Sequence, residues 1–246
     1  MRRVFETMGT VASIEVPEQQ LSAIPAIEAA FDEIDRRFSL YRADSELSRI
    51  ARGELRLPDA GPDVIASYSR ALAWRDSTGG AFTPHRPDGA LDLNGIVKAE
   101  AIERAGGILD AAGCTDWTIN VGGDILTRYA SAAGSAAIGI VDPGDGAALL
   151  CSLVLRGDRR ALATSGSAER GDHIWLGGST ARADFTQVSV IAEDIVTADV
   201  LATAIVAGGR DALDDATARW PIDVLTVDRA GDLLATPGMR ASLQAN

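Results

Sequence analysis

The stretch TADVLATAIVAGG, residues 197–209, constrains the fold more than any other. Every side chain between Ala198 and Ala207 is apolar or small except Asp199 and Thr203, so a helix here has to sit inside a core, enclosed by other elements. Asp199 and Thr203 are four apart and therefore share one helix face. A carboxylate and a hydroxyl stacked in this way offer two hard oxygen ligands. They suit Mg²⁺, which takes few protein ligands and completes its octahedron with water and substrate phosphate. A plainer account is also available, because a carboxylate near a helix N-terminus complements the helix dipole.

A core large enough to enclose such a helix is available to a chain of 246 residues, 46% of them hydrophobic and 24% charged. The net charge of −12 and the sequence pI of about 4.6 repel a duplex or an anionic membrane over most of the surface, so no nucleic-acid or membrane partner is expected. An anionic substrate needs a metal ion or a local basic group to reverse that sign. Cys114 and Cys151 form no CxxC or Cys/His cluster and read as core thiols in a reducing compartment. The N-terminal MRRVFETMGTVASIEV alternates like a strand and shows neither an apolar signal core nor a lipid-attachment cysteine, which leads to a cytoplasmic expectation.

Along the chain, VASIEV alternates as a strand. Ile24, Ile27, Ala30, Phe31, Ile34 and Phe38 then recur at three and four, predicting an amphipathic helix that ends near Ser39. A second helix starts at Pro62 and stops at Gly79 and Gly80, and a third covers IVKAEAIERAGGILDAAG. The runs DWTINVGGDILTRY, AAIGIVD, LLCSLVLRGDRRALATS and DFTQVSVIA are β-rich, and Val224 to Val227 should pair across DRAGD with Leu233 and Leu234. The fold class expected is α+β, one domain over 1–246, with mostly antiparallel sheet and helices packed on it.

Several stretches could carry chemistry. In ALDLNGIVKAEAIERA, Asp92 and Lys98 bracket Gly95 where a short strand meets a helix, a place where backbone N–H groups and a lysine can hold phosphate or where a glycine merely turns the chain. INVGGDIL sets two glycines and Asp124 after a strand, which permits close approach of a ligand or a tight hairpin equally well. ATSGSAERGDHIW carries Thr164, Ser165 and His173. His85, the other histidine, lies in a proline-rich loop and receives no role. A P-loop, GxGxxG, GxSxG, HExxH and cysteine pairs are all missing, which removes the common nucleotide, serine-hydrolase and zinc readings.

In order, MGT at 8–10, FDEIDRRFSLYRADSELSRI at 31–50, STGGAF at 77–82, LDLNGIVKAEAIE, INVGGDI, IGIVDP, TSGSAERGDHI and TADVLATAIVAGG resemble the FAD:protein FMN transferases, the ApbE-like flavin transferases. The resemblance spans nearly the whole chain and implies a single T-fold-like domain. It implies binding of FAD with Mg²⁺ on its pyrophosphate, and transfer of FMN to a threonine or serine hydroxyl of a target flavoprotein with release of AMP. By motif position, Asp199, Thr203 and the carbonyl of Gly95 would hold the metal. Met8 and Tyr41 would lie against the isoalloxazine, and Ala81, Phe82 and Thr83 would line the flavin side of the cleft. Asp92 would hold a polar part of FAD, Lys98 and His173 would approach the phosphates, and His173 or Asp199 would be the base.

Thr83 stands where that family usually has aspartate, Ala202 where many members carry a second aspartate, and Ala99 and Glu100 where glycine and an aromatic are usual. The segment before Asp92 is short, and HIWLGGSTA lacks the usual proline. Water as acceptor would make the same site an FAD pyrophosphatase, and loss of turnover would leave an FAD-binding protein.

Overall fold

The structure, a computed structural model, describes residues 1–130, 135–166 and 184–244. Its centre is an eight-stranded sheet in which every pairing is antiparallel. The strand order is β1 (Arg2–Thr7), β2 (Thr10–Glu15), β3 (Asp116–Val121), β4 (Asp124–Tyr129), β7 (Ala161–Gly166), β8 (Phe185–Ala192), β9 (Asp223–Asp228) and β10 (Leu233–Ala235). The expected terminal hairpin is present, with Leu233 opposite Val227 and Leu234 opposite Thr226. The remaining strands, β5 (Ala136–Asp142) and β6 (Asp145–Leu155), form a separate hairpin.

Both faces of the central strands are buried, and the alternation of side chains sorts them into two cores. Leu126, Ala161, Ala163, Val188, Val190 and Val224 join the larger core under the helices. Their neighbours Ile125, Leu162, Ile191 and Leu225 point the other way and pack with Ile138, Ile140, Leu153 and Leu155 of the β5–β6 hairpin. The result is three layers: helices, the eight-stranded sheet, and the two-stranded hairpin. This is the α+β class expected, with a covered second face.

The helices on the larger core are α1 (Ile24–Phe38), α2 (Glu46–Ala51), α3 (Pro62–Ser77), α4 (Asn94–Ala111) and α5 (Ile195–Arg219), and α6 (Pro237–Ser242) follows the last strand. The inward stripe of α1 is the one its spacing predicts: Ile24, Ile27, Ala30, Phe31, Ile34 and Phe38 are all buried. α5 lies against β7 and β8 and is buried at nearly every position through Val206. It does not stop at the glycine pair. Gly209 breaks it with φ 65° and ψ −147°, and the chain then resumes as helix to Arg219.

Candidate functional site

The antiparallel topology gathers the motif residues at one end of the sheet. The β1–β2 turn is Met8–Gly9, and the β3–β4 turn is Gly122–Gly123. Both turns have positive φ at their two central residues, 48° and 72° in the first and 58° and 91° in the second, the two-residue hairpin geometry that glycine adopts without cost. Met8 holds the left-handed conformation without that freedom, a local strain at the head of MGT. The turns abut: the Gly122 N–H donates to the Val11 carbonyl at 3.1 Å, and a Cβ on Gly122 would stand 2.7 Å from Thr10 Oγ1. A hollow of about 270 Å³ beside Met8 lies between β1 and α1 and is lined in part by Phe5, Asp32 and Asp35.

α4 starts at this end. Asp92 Oδ1 accepts the Asn94 N–H at 2.9 Å, which shapes the turn into the helix. Gly95 stands in the first helical turn because Phe82 lies on it: a Cβ there would be 3.0 Å from Phe82 Cε2. Phe82 itself is held by Thr78, whose hydroxyl accepts the Phe82 N–H at 3.1 Å and donates to the Trp74 carbonyl at 2.8 Å, with Gly79 and Gly80 at positive φ between them. One turn along α4, Lys98 is 6% exposed and its ammonium pairs with the carboxylate of Asp124, which is fully buried. The other Asp124 oxygen accepts the Thr164 N–H at 3.2 Å. The next residue, Ser165, meets Thr203 hydroxyl to hydroxyl at 3.2 Å. Asp199, one helical turn before Thr203, is 3% exposed.

Phe82 on Gly95, Lys98 on Asp124, Asp124 on Thr164 and Ser165 on Thr203 are thus successive contacts, linked through α4 and β7, with Asp199 on the same helix face as Thr203. Ala81 borders it, since a Cβ on Gly208 would be 3.2 Å from Ala81 Cβ. Thr83 is turned to its own loop, accepting the His85 N–H at 3.2 Å, and His85 meets Tyr68 Oη at 3.2 Å. Tyr41 stands apart from the packed set: its ring is 86% exposed, on a loop pinned beneath it by Ser45 Oγ donating to the Ser39 carbonyl at 2.6 Å. Arg42 beside it reaches Asp35 at 3.7 Å, which ties this loop to the hollow that Met8 lines. His173 lies outside the described residues.

Asp124, Thr164 and Ser165 were visible in the sequence only as members of motifs, and their junction with Lys98 and Thr203 is the structure's addition. A cation held by Asp199, Thr203 and the Gly95 carbonyl would meet a carboxylate, a hydroxyl and a carbonyl. All three are hard oxygen donors, a set that fits Mg²⁺. Among the described residues no group of three or more His, Cys, Asp or Glu side chains could cage a metal. No helix is long and apolar enough to cross a membrane among the described residues. On the neighbouring α4 surface, burial raises the Glu100 carboxyl above its ordinary value, partly offset by the Ser67 hydroxyl that donates to it at 2.6 Å.

Comparison with known proteins gives the family and the fold. A family model described as the ApbE family matches residues 8–87 and 83–226. A curated relative from Rhodobacter capsulatus, named FAD:protein FMN transferase, is 30% identical over 179 residues, 68% of this chain and 34% of the relative. The match therefore spans about a third of that relative's length. Among solved structures, the ApbE protein of Thermotoga maritima superposes with a TM-score of 0.81 at 21% identity, covering 100% of this chain and 99% of that one. The flavin transferase ApbE of Vibrio cholerae gives 0.77 at 20% identity, covering 99% of each. At these identities the structural matches establish the fold.

Proposed function

The chain belongs to the ApbE family, and from that premise we propose that it binds FAD and transfers the FMN half to a hydroxyl of an acceptor protein, releasing AMP. The observation that carries this reading is the convergence at one sheet end of Phe82, Gly95, Lys98, Thr203 and Asp199 from segments more than a hundred residues apart. In the reaction, the acceptor oxygen attacks the phosphorus on the FMN side of the pyrophosphate. A new P–O ester bond forms as the bond to the bridging oxygen breaks, and AMP departs with that oxygen. The hydroxyl proton passes to a base, for which Asp199 and His173 are the candidates.

Lys98 would supply the local positive charge that meets the pyrophosphate in an otherwise acidic protein. Asp199, Thr203 and the Gly95 carbonyl would hold Mg²⁺, which offsets charge on the pyrophosphate and the departing phosphate. Met8, Ala81 and the exposed Tyr41 ring would receive the flavin, and Asp92 a polar part of FAD; Thr83, whose hydroxyl is taken up by the His85 N–H, would contribute at most its methyl group. Incubation with FAD and Mg²⁺, followed by assay of AMP and of flavin remaining with acid-precipitated protein, tests the reading. AMP with protein-bound FMN supports transfer, AMP with free FMN indicates hydrolysis, and intact FAD overturns it.

A further inference from the structure

Of the 23 basic side chains in this protein, 22 are arginine, and Lys98 is the only lysine. Among the described residues arginine serves the surface ion pairs of the helices and hairpins, and the lysine stands where the cation is buried. The partner there is equally distinctive. Asp124 has no exposed surface, and its two oxygens face two donors from different elements, the Lys98 ammonium on α4 and the Thr164 N–H on β7. The β4–β7 pairing runs only through Leu126 and Ile125, so beyond Ile125 the Asp124 side chain takes over the joining of the two strands. Only a group with two acceptor ends satisfies both donors: an asparagine would turn its NH₂ toward one of them whichever way it is flipped.

We propose that Asp124 is a positioning residue of the candidate site, holding the Lys98 charge at a fixed place relative to the Ser165–Thr203 hydroxyl pair. This rests on the FAD reading above, since the purpose of the fixed charge is to meet the pyrophosphate. The Thr164 N–H and the Ser165 hydroxyl are on successive residues, so a displacement of β7 at Asp124 passes directly to Thr203. A buried ion pair is an expensive way to join two elements, because an uncharged pair of similar shape can do so without desolvating two ions. Its retention here is explained if the ammonium itself is used.

Two variants separate the roles, each read by thermal unfolding and by titration with ADP and with riboflavin. Asp124→Asn leaves a buried ammonium without its counterion, and the melting temperature should fall by roughly 6 °C or more, with ADP binding at least tenfold weaker. Removing the carboxylate also lifts a repulsion from an incoming phosphate, so tighter ADP binding in this variant overturns the positioning role. The double variant Lys98→Gln/Asp124→Asn restores a satisfied but uncharged pair. It should regain most of the lost melting temperature and bind riboflavin normally, yet stay at least tenfold weaker for ADP. Wild-type ADP affinity in the double variant would mean that the pair is a structural clamp alone. Should neither variant fold, the single lysine still gives a direct reading in the wild-type protein. With ¹³C-labelled lysine, the Lys98 side-chain resonance should move on saturation with ADP and not with riboflavin, and a stationary resonance overturns the proposal. Wild-type protein that binds neither ADP nor FAD marks failure of the FAD reading itself, and the proposal falls with it.

Discussion

Gly209→Ala tests the bend that divides α5. Gly209 holds φ 65° and ψ −147°, a conformation essentially reserved to glycine, and placing alanine there costs about 1–3 kcal/mol. The new Cβ would also collide with Asp184 Oδ2, so that carboxylate has to leave. With it goes the hydrogen bond at 3.0 Å by which Asp184 accepts the Arg210 N–H and caps the second half of the helix, worth about 1 kcal/mol. Together these come to about 2–4 kcal/mol, or a melting temperature roughly 5–15 °C lower for a domain of this size. Thermal unfolding followed by circular dichroism measures it, with Asp184→Ala as the control that loses the cap alone and falls by about 2–4 °C. A Gly209→Ala protein melting within a degree of wild type refutes the bend.

Tyr41→Ala should leave the melting temperature unchanged, because the ring is 86% exposed, while weakening flavin binding by about 1 kcal/mol if the ring stacks on the isoalloxazine; fluorescence titration with FAD reads it, and lower stability with unchanged affinity refutes the stacking. Glu100→Gln should raise the melting temperature at pH 7, since a carboxyl whose ionisation is opposed by burial loses stability as pH rises above its ordinary value. The advantage should vanish below pH 4, where glutamate is protonated in both states, and a difference independent of pH refutes the assignment to desolvation.

What could be read in the sequence divides along the range of the interaction. α1 was legible because its six inward positions repeat at three and four, and the β9–β10 pairing because a short turn fixes the register. α5 was legible as buried but not in its length, since Gly208 and Gly209 look like a helix stop and the Asp184 side chain that restarts the helix comes from a distant segment. α2 passed unread because six residues carry too little periodicity, and its Ser45 cap, accepting the Ser48 N–H at 3.0 Å, is a signal shared with ordinary turns. For the candidate site, the motifs singled out Gly95, Lys98, Asp199 and Thr203. The pairing of Lys98 with Asp124 was invisible because it depends on α4 and β4 lying side by side, which no local pattern encodes. Asp124 looked like the last residue of a hairpin turn, and it is also that.

The most direct test of the account is Asp199→Asn, assayed for AMP release from FAD and for thermal unfolding with and without Mg²⁺. The substitution keeps the shape of a side chain that is 3% exposed and removes the charge a hard divalent cation requires. The account predicts that AMP release falls by about two orders of magnitude or more, as expected when several kcal/mol of transition-state stabilisation are lost, and that stability without Mg²⁺ holds or rises. Turnover at the wild-type rate, with a stability loss of ~0.3–1 kcal/mol as for a carboxylate that only complements a helix dipole, would contradict it.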